Sequence, residues 1–329
     1  MIERSITGKR VLVTGCAGFI GSNLCEDLLK HDNEVVGLDN FETGFERNIT
    51  PFKENSRFQF IQGDIRNLED CKRACDGAEI VLHQAALGSV PRSINDPINS
   101  NKTNIDGFLN MLVAARDHKI KRFVYASSSS VYGDEKRLPK VEAKIGKALS
   151  PYAVTKSVNE QYAHVFGDLF GLETVGLRYF NVFGKHQSPN GAYAAAIPKF
   201  IERLIRLQSP TIHGDGTQSR DFTYIANVVQ ANNVAAISTN PTAVNEVYNV
   251  ATGVSTNLNE LIDILKEALG AFDSNILNIE PEHGPERVGD VRHSLASIVK
   301  AETMLGYKPT HTLEQGLNEA ISWYWNDLR

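Results

Sequence analysis

The chain has 329 residues, 42% of them hydrophobic, and a formal net charge of -5. That length is too great for one small core and suits a large α/β domain carrying a smaller lobe. No apolar run approaches the roughly 20 residues of a membrane span, and no basic block is present to neutralise nucleic acid. At the N-terminus, Glu3, Arg4, Lys9 and Arg10 fall where a signal peptide would need its apolar core. The four cysteines, Cys16, Cys25, Cys71 and Cys75, are too few and too irregular for a disulfide framework. Cys71 and Cys75 have the spacing of half a metal site, but no second Cys/His pair accompanies them. They read as structural thiols, with no metal expected and a reducing cytoplasm as the simplest setting.

Short apolar runs alternate with helical patterns along the first half. KRVLVTG (9–15) reads as a strand, followed by a helix over 19–30 whose buried face carries Ile20, Leu24, Leu28 and Leu29. Strands follow at 34–40 and 57–64, then a helix near 67–75 and a fourth strand at 79–86. A long helix near 98–117 leads into a fifth strand at 121–128. A helix over 151–168, opened by Pro151, precedes a sixth strand at 173–182. The runs are continuous and β-branched, as in strands buried on both faces of a parallel sheet. The alternation implies a doubly wound, Rossmann-type α/β fold. Beyond 182 the pattern loosens into a Gly/Pro/Asn-rich loop, a helix near 195–207, a short strand at PTIHGDG and helices near 258–269 and 312–326. The division expected is a dinucleotide domain over 1–182 and a smaller α/β substrate lobe over 183–329, with the chain passing between them.

Gly15, Gly18 and Gly21 stand between the first strand and the first helix. Their spacing is one residue longer in the turn than G-x-G-x-x-G, with the same needs: close backbone approach and a helix N-terminus facing a pyrophosphate. Asp39 ends the second strand, where a carboxylate accepts from both ribose hydroxyls and repels a 2′-phosphate. No Arg or Lys lies between Asp39 and Arg47, so NAD is expected over NADP. Asp39 can also be read as a cap of the strand-end turn with Asn40. Asp64 ends the third strand where an adenine amino group could be bound, or simply forms the turn before the next helix.

Tyr152 and Lys156 are four apart and share one face of the 151–168 helix. A phenol with an ordinary pKa near 10 must come down by roughly three units to act as a base near neutrality. A neighbouring ammonium and a positive nicotinamide ring both push it that way. The serine run 127–130 ends the fifth strand, at the carboxyl edge where ligands bind such sheets.

TGCAGFIG, LDN, GDIR, HQAA, SSSSVYG, YAVTK, LRYFNVFG, SRDFTYI, YNVATG and RVGDVRHS together resemble the extended short-chain dehydrogenase/reductases, and among them the nucleotide-sugar 4-epimerases. The resemblance runs over essentially the whole chain. It implies a catalytic serine at Ser128, a base at Tyr152 and a nicotinamide-ribose lysine at Lys156. It also implies cofactor contacts at Phe19, Ile20, Asn40, Thr43, Gly44, Ile65, Gln84, Ala85, Ala86 and Tyr179. Similar 4,6-dehydratases carry Asp–Glu after the catalytic serine; this chain has Ser129 and Ser130, so elimination lacks its proton shuttles. What remains is removal of hydride from sugar carbon 4 to NAD, rotation of the 4-keto sugar, and return of hydride to its other face.

For the substrate, the resemblance implies a UDP-sugar. Asn181, Arg220 and Arg287 would meet the diphosphate, Asp290 the uridine ribose, and Ser129 and Ala195 the remainder. Read without it, Arg220 and Arg287 are salt-bridge partners of Asp221 and Glu286. Ser294 stands where glucose/galactose-restricted relatives have a bulky Tyr, leaving room for an N-acetyl group or merely filling a small gap. Ser89, Arg92 and Ser93 in ALGSVPRS, with the loop NGAYAAAIP (190–198), resemble the subgroup acting on N-acetylated sugars. A UDP-N-acetylhexosamine is therefore expected, with its uronic acid or UDP-glucose/UDP-galactose as alternatives; a uronate would draw on Arg92. A non-catalytic dinucleotide sensor is the competing class, against which Ser128, Tyr152 and Lys156 all stand intact. Phe108, Leu109, Met111, Leu112 and Val113 put apolar residues on more than one helix face. Relatives pair the 98–117 and 151–168 helices across a homodimer; the alternative is that the second face packs on its own domain.

Overall fold

The computed structural model describes residues 5–189, 195–285 and 292–329. Strand β1 (Arg10–Thr14) leads through the glycine turn into α1 (Phe19–Lys30), β2 (Glu34–Asp39) and β3 (Phe58–Gln62). Helix α2 (Leu68–Cys75), β4 (Ile80–His83), α3 (Val90–Asn95) and α4 (Pro97–Asn101) follow. A π-helical turn (Lys102–Asp106) then runs into α5 (Gly107–Asp117), β5 (Arg122–Ser128), α6 (Pro151–Phe170) and β6 (Glu173–Tyr179). The long helix expected at 98–117 is thus three successive pieces.

Past β6 come β7 (Val182–Phe183), α7 (Ala196–Ile205), β8 (Thr211–His213), β9 (Ser219–Arg220) and β10 (Thr223–Tyr224). The chain continues with α8 (Ile225–Ile237), β11 (Glu246–Val250), β12 (Thr256–Asn257), α9 (Leu258–Gly270), β13 (Glu282–Gly284), α10 (Val299–Leu305) and α11 (Leu313–Leu328). The main sheet has seven strands in the order β11-β6-β5-β4-β1-β2-β3, every pair parallel. This is the doubly wound order, reversing beside β1, so a crevice opens where β1 and β4 diverge.

Alternate residues along each strand feed two cores. Val11 and Val13 join α1 and α8 on one face, while Leu12 joins α2, α5 and α6 on the other. Continuous apolar runs are required because neither face meets water. Cys71 and Cys75 are buried in the second core.

Helix α8 and strand β11 lie beyond residue 182, yet they complete the sheet layer. Neither was legible as part of it. Of the thirteen residues of α8, ten are buried, including Asn227, Asn232 and Asn233, so the helix has no polar face to reveal its period. The first core also runs unbroken from β6 into α7, α9 and α11 through Phe200, Leu265 and Tyr324.

Candidate active site

Three clefts open at the carboxyl edge of the sheet. The first, of ≈ 310 Å³, lies at the strand-order reversal; of the residues expected at a dinucleotide, Gly15, Gly18, Phe19, Ile20, Gly21, Asp39, Asn40, Thr43, Ile65, Gln84, Ala85 and Ala86 line it and Gly44, Asp64 and Tyr179 do not, while Leu38, Glu42, Gly63, Leu87, Gly88 and Thr103 complete the wall. Its glycines are demanded by contact. A Cβ on Gly15, whose φ is +68°, would sit 2.9 Å from the Ala85 nitrogen; on Gly21, 2.1 Å from the Gly15 carbonyl oxygen; on Gly44, 2.8 Å from the Ala17 carbonyl carbon. Helix α1 begins at Gly18 with no side-chain cap, so its first amides are available to an anion.

Asp39 caps the strand-end turn and also lines this cleft. Its carboxylate accepts from Ala17 N at 2.9 Å in the glycine turn and from Phe41 N at 2.8 Å at the strand end. Burial raises its pKa above the usual carboxylate value, with the Phe41, Ala17 and Asn40 amides opposing. Asp64 forms the turn, accepting from Arg66 N at 2.8 Å, and also receives Asn40 Nδ2 at 2.9 Å. Burial pushes its carboxyl up, but Arg66 and Asn40 outweigh this and hold it below the ordinary value. Arg66 was not anticipated at this end of the cleft; it is neutralised by Glu42 as well as Asp64. With Asp39, the local charge stays negative, which disfavours a 2′-phosphate.

Two further residues escaped sequence reading. The π-helical turn presents Thr103, whose buried Oγ1 has no partner and which lines this cleft. Asn232 on α8 donates to the Tyr179 hydroxyl at 2.9 Å and accepts from Gln84 Nε2 at 3.1 Å, while Tyr179 donates to Gln84 Oε1 at 3.1 Å. The signals were a π bulge and a mid-helix Asn, neither visible without the fold.

Ser128, Tyr152 and Lys156 come together where β5 ends against α6, and none of them is among the described lining of the three clefts. Ser150 caps α6 by accepting from Ala153 N at 3.1 Å, Pro151 takes the first turn, and Gly171 closes the helix with φ +67°. Ser93, expected near the sugar, is instead buried: its hydroxyl accepts from Tyr152 N at 3.0 Å and donates to Val90 O at 2.7 Å. It therefore pins the start of the catalytic helix. Ser89 caps α3, accepting from Arg92 N at 3.2 Å.

Ser128 stands beside the Tyr152 phenol, and its hydroxyl accepts from Ser130 N at 3.1 Å. The phenol's pKa is raised by burial, with Ser128 opposing. Lys156 Nζ stands 6.0 Å from the Tyr152 ring centroid and donates to Ala126 O at 2.7 Å. The lysine by itself therefore does not bring the phenol below its ordinary value, as the sequence argument had supposed. Burial lowers the ammonium's own pKa to about 8, with the Glu160 charge opposing. His83, behind them, is held neutral with a pKa of about 3 by burial and then by the Lys156 charge.

The second cleft, of ≈ 210 Å³, is lined by Ser129, Ser130, Lys140, Asn181, Arg220 and Ser294 among others, with no carboxylate among its described lining residues. Ser130 Oγ is buried there without a partner. Arg92 is not among that lining; the cations there are Lys140 and Arg220. The third cleft, of ≈ 470 Å³, shares Asn181 and Arg220 with the second and adds Ala195, Phe200 and Gln218. Asp221 is not the partner of Arg220. It accepts from Thr252 N at 2.9 Å, Thr252 Oγ1 at 2.8 Å, Gly253 N at 3.1 Å and Ala296 N at 3.3 Å. Arg287, Asp290 and residues 190–194 lie outside the described residues.

A family model described as the NAD dependent epimerase/dehydratase family matches residues 11–251. A UDP-glucose 4-epimerase of Mycolicibacterium smegmatis is 34% identical over 319 residues, covering 96% of this chain and 99% of that protein. The solved UDP-N-acetylglucosamine 4-epimerase from Methanobrevibacter ruminantium M1, in complex with UDP-N-acetylmuramic acid, superposes with a TM-score of 0.91 at 37% identity, covering 98% of this chain and 100% of that one. A UDP-glucuronic acid 4-epimerase from Bacillus cereus, solved with UDP-glucuronic acid and NAD, gives 0.86 at 34% identity, covering 97% and 100%.

Proposed function

Since the chain belongs to the NAD-dependent epimerase/dehydratase family and is an NAD-using nucleotide-sugar 4-epimerase, we propose that its substrate is a UDP-N-acetylhexosamine, interconverted between the gluco and galacto forms. The first cleft fits the dinucleotide: the glycine contacts leave room for backbone approach and no side chain, and Thr103 offers an unused hydroxyl. Gly15, Gly18 and the start of α1 would hold the pyrophosphate, Asp39 a ribose, and Lys156 the nicotinamide ribose. NAD held there would supply the hydride acceptor and donor for sugar carbon 4, and its positive ring would favour the Tyr152 phenolate. Tyr152 accepts the 4-hydroxyl proton and gives it back, and Ser128 holds the sugar oxygen in line with that phenol. Arg220 and Asn181, shared by the second and third clefts, grip the diphosphate while the sugar turns.

The observation that carries the N-acetyl assignment is the wall of the second cleft. Ser294 and Ser130 both line that small space, and their short side chains leave room for a substituent at sugar carbon 2. Lys140 reaches the cleft, and its ammonium also donates to the Glu135 carbonyl. Incubation with UDP-N-acetylglucosamine and no added NAD should yield the galacto product by proton NMR. Ser294→Tyr should lower kcat/KM for that substrate by ~100-fold while UDP-glucose changes by less than about fivefold. Equal losses on both would remove the steric account of specificity.

A second copy of the chain covers the outer face of α6. Phe108, Met111 and Leu112, once candidates for that contact, are spent in their own core. What remains is a stripe on α6, with Val154, Val165 and Leu169 at 48%, 44% and 70% exposure, near Ile98 at 69%. Such spacing suits pairing of helices across a twofold axis. Light scattering should report two chains per particle, and Leu169→Glu should shift this to one; a wild-type monomer at micromolar concentration would refute the pairing.

A further inference from the structure

Glu160 lies one turn beyond Lys156 on α6 and has no part in the chemistry above. Its side chain is 11% exposed and its partner Arg178, on β6, is 3% exposed. Arg178 donates to it twice, from Nε at 2.9 Å and from Nη2 at 2.7 Å. Ser127, the residue before the catalytic serine, donates to the same carboxylate at 2.5 Å. Arg178 immediately precedes Tyr179, which lies in the Gln84 network of the first cleft. One carboxylate thus ties together the ends of β5 and β6 and the helix that carries Tyr152 and Lys156.

We infer that Glu160 is a positioning residue for the Tyr152–Lys156 pair, fixing both strand ends to the catalytic helix and supplying the buried negative charge that Lys156 faces. The inference rests on Tyr152 as the proton carrier but goes beyond it. A purely structural ion pair would need only Arg178. Here the carboxylate also receives Ser127 and stands one helical turn from the buried Lys156, so removing its charge leaves Arg178 uncompensated and takes a nearby negative charge from Lys156. Charge around the pair is otherwise sparse. Tyr125 on β5 is kept neutral by burial, with Glu160 adding to the shift. His83 on β4 is neutral. Tyr132 and the Glu142 carbonyl engage the far side of Arg178, at 4.9 Å to the ring centroid and 2.9 Å respectively. Burial lowers the Lys156 pKa, and Glu160 is the group that opposes it. The sign follows: without the Glu160 charge the ammonium loses its proton at lower pH, so everything that needs that ammonium fails earlier as pH rises.

The test compares wild type, Glu160→Gln and Glu160→Asp. Two quantities are followed against pH: kcat/KM for UDP-N-acetylglucosamine, and the Kd for NAD by calorimetry. In Glu160→Gln the alkaline fall of both should move down by about half a pH unit or more, with kcat reduced about tenfold. Glu160→Asp keeps the charge and shortens the reach, so kcat should fall while both limbs stay at the wild-type pH. A folded Glu160→Gln with unmoved limbs would overturn the inference, whatever its amplitude. If Glu160→Gln does not fold, Glu160→Asp decides: moved limbs or an unchanged kcat would overturn it. Should wild type turn over no N-acetylated UDP-sugar, the substrate assignment fails, while the NAD limb still reports on Glu160.

Discussion

Replacing Tyr152 with phenylalanine is expected to cut epimerisation by about 10³-fold or more while leaving NAD bound. The phenolic oxygen is the atom that Ser128 meets, and it sits at the start of a helix whose position does not depend on it. Ser150 caps that helix and Ser93 holds the Tyr152 amide, and both bonds survive loss of the hydroxyl. Folding and cofactor retention should therefore be close to wild type, and only the proton transfer should disappear. Proton NMR of the sugar nucleotide gives the rate, and NAD released on denaturing the purified protein gives occupancy. Turnover above about one tenth of wild type would place the proton acceptor elsewhere. Loss of NAD along with turnover would make the phenol a cofactor ligand first.

Gly21→Ala should abolish cofactor binding, by a route unrelated to chemistry. The new methyl would lie 2.1 Å from the Gly15 carbonyl oxygen. That oxygen cannot retreat cheaply, because it accepts from Gly18 N at 3.0 Å and the Gly15 amide is bonded to Leu38 O at 2.8 Å. Either the glycine turn opens or α1 shifts, and each ruins the approach to the pyrophosphate. Overpacking of this kind costs about 1–3 kcal/mol or more. The variant should purify with less than about a tenth of the wild-type NAD and a lowered Tm, and excess NAD should not restore activity. Normal NAD content with an unchanged Tm would show that the turn is softer than its contacts imply.

These two positions were legible for different reasons. Gly21 belongs to a local motif, a strand, a turn and a helix within twenty-odd residues, whose geometry depends on nothing distant. Tyr152 and Lys156 were legible because a helix brings positions four apart onto one face. The electrostatic consequence was not legible. Proximity in sequence suggested a lysine that lowers the phenol; the fold gives that lysine to the Ala126 carbonyl and buries it, and partial burial of the phenol raises its pKa. Ser93 was misjudged for a related reason: its loop was identified, but the direction of one hydroxyl within it depends on where α6 begins.

What the sequence determined by itself was the alternation of strand and helix, the glycine turn with its following acid, and the placing of Tyr152 and Lys156 on one helix face, since each is written in short-range spacing; Ser128 was implied only by the family resemblance. Only the tertiary structure decided that α8 and β11 return to complete the sheet, that Thr103 lines the first cleft while Asn232 and Arg66 hold its lining residues Gln84 and Glu42, and that Glu160 braces β5, β6 and α6 through Ser127 and Arg178. Those residues act across separations such as the 148 positions between Gln84 and Asn232. Burial and pairing over such distances are set by how layers stack, and no local pattern encodes them.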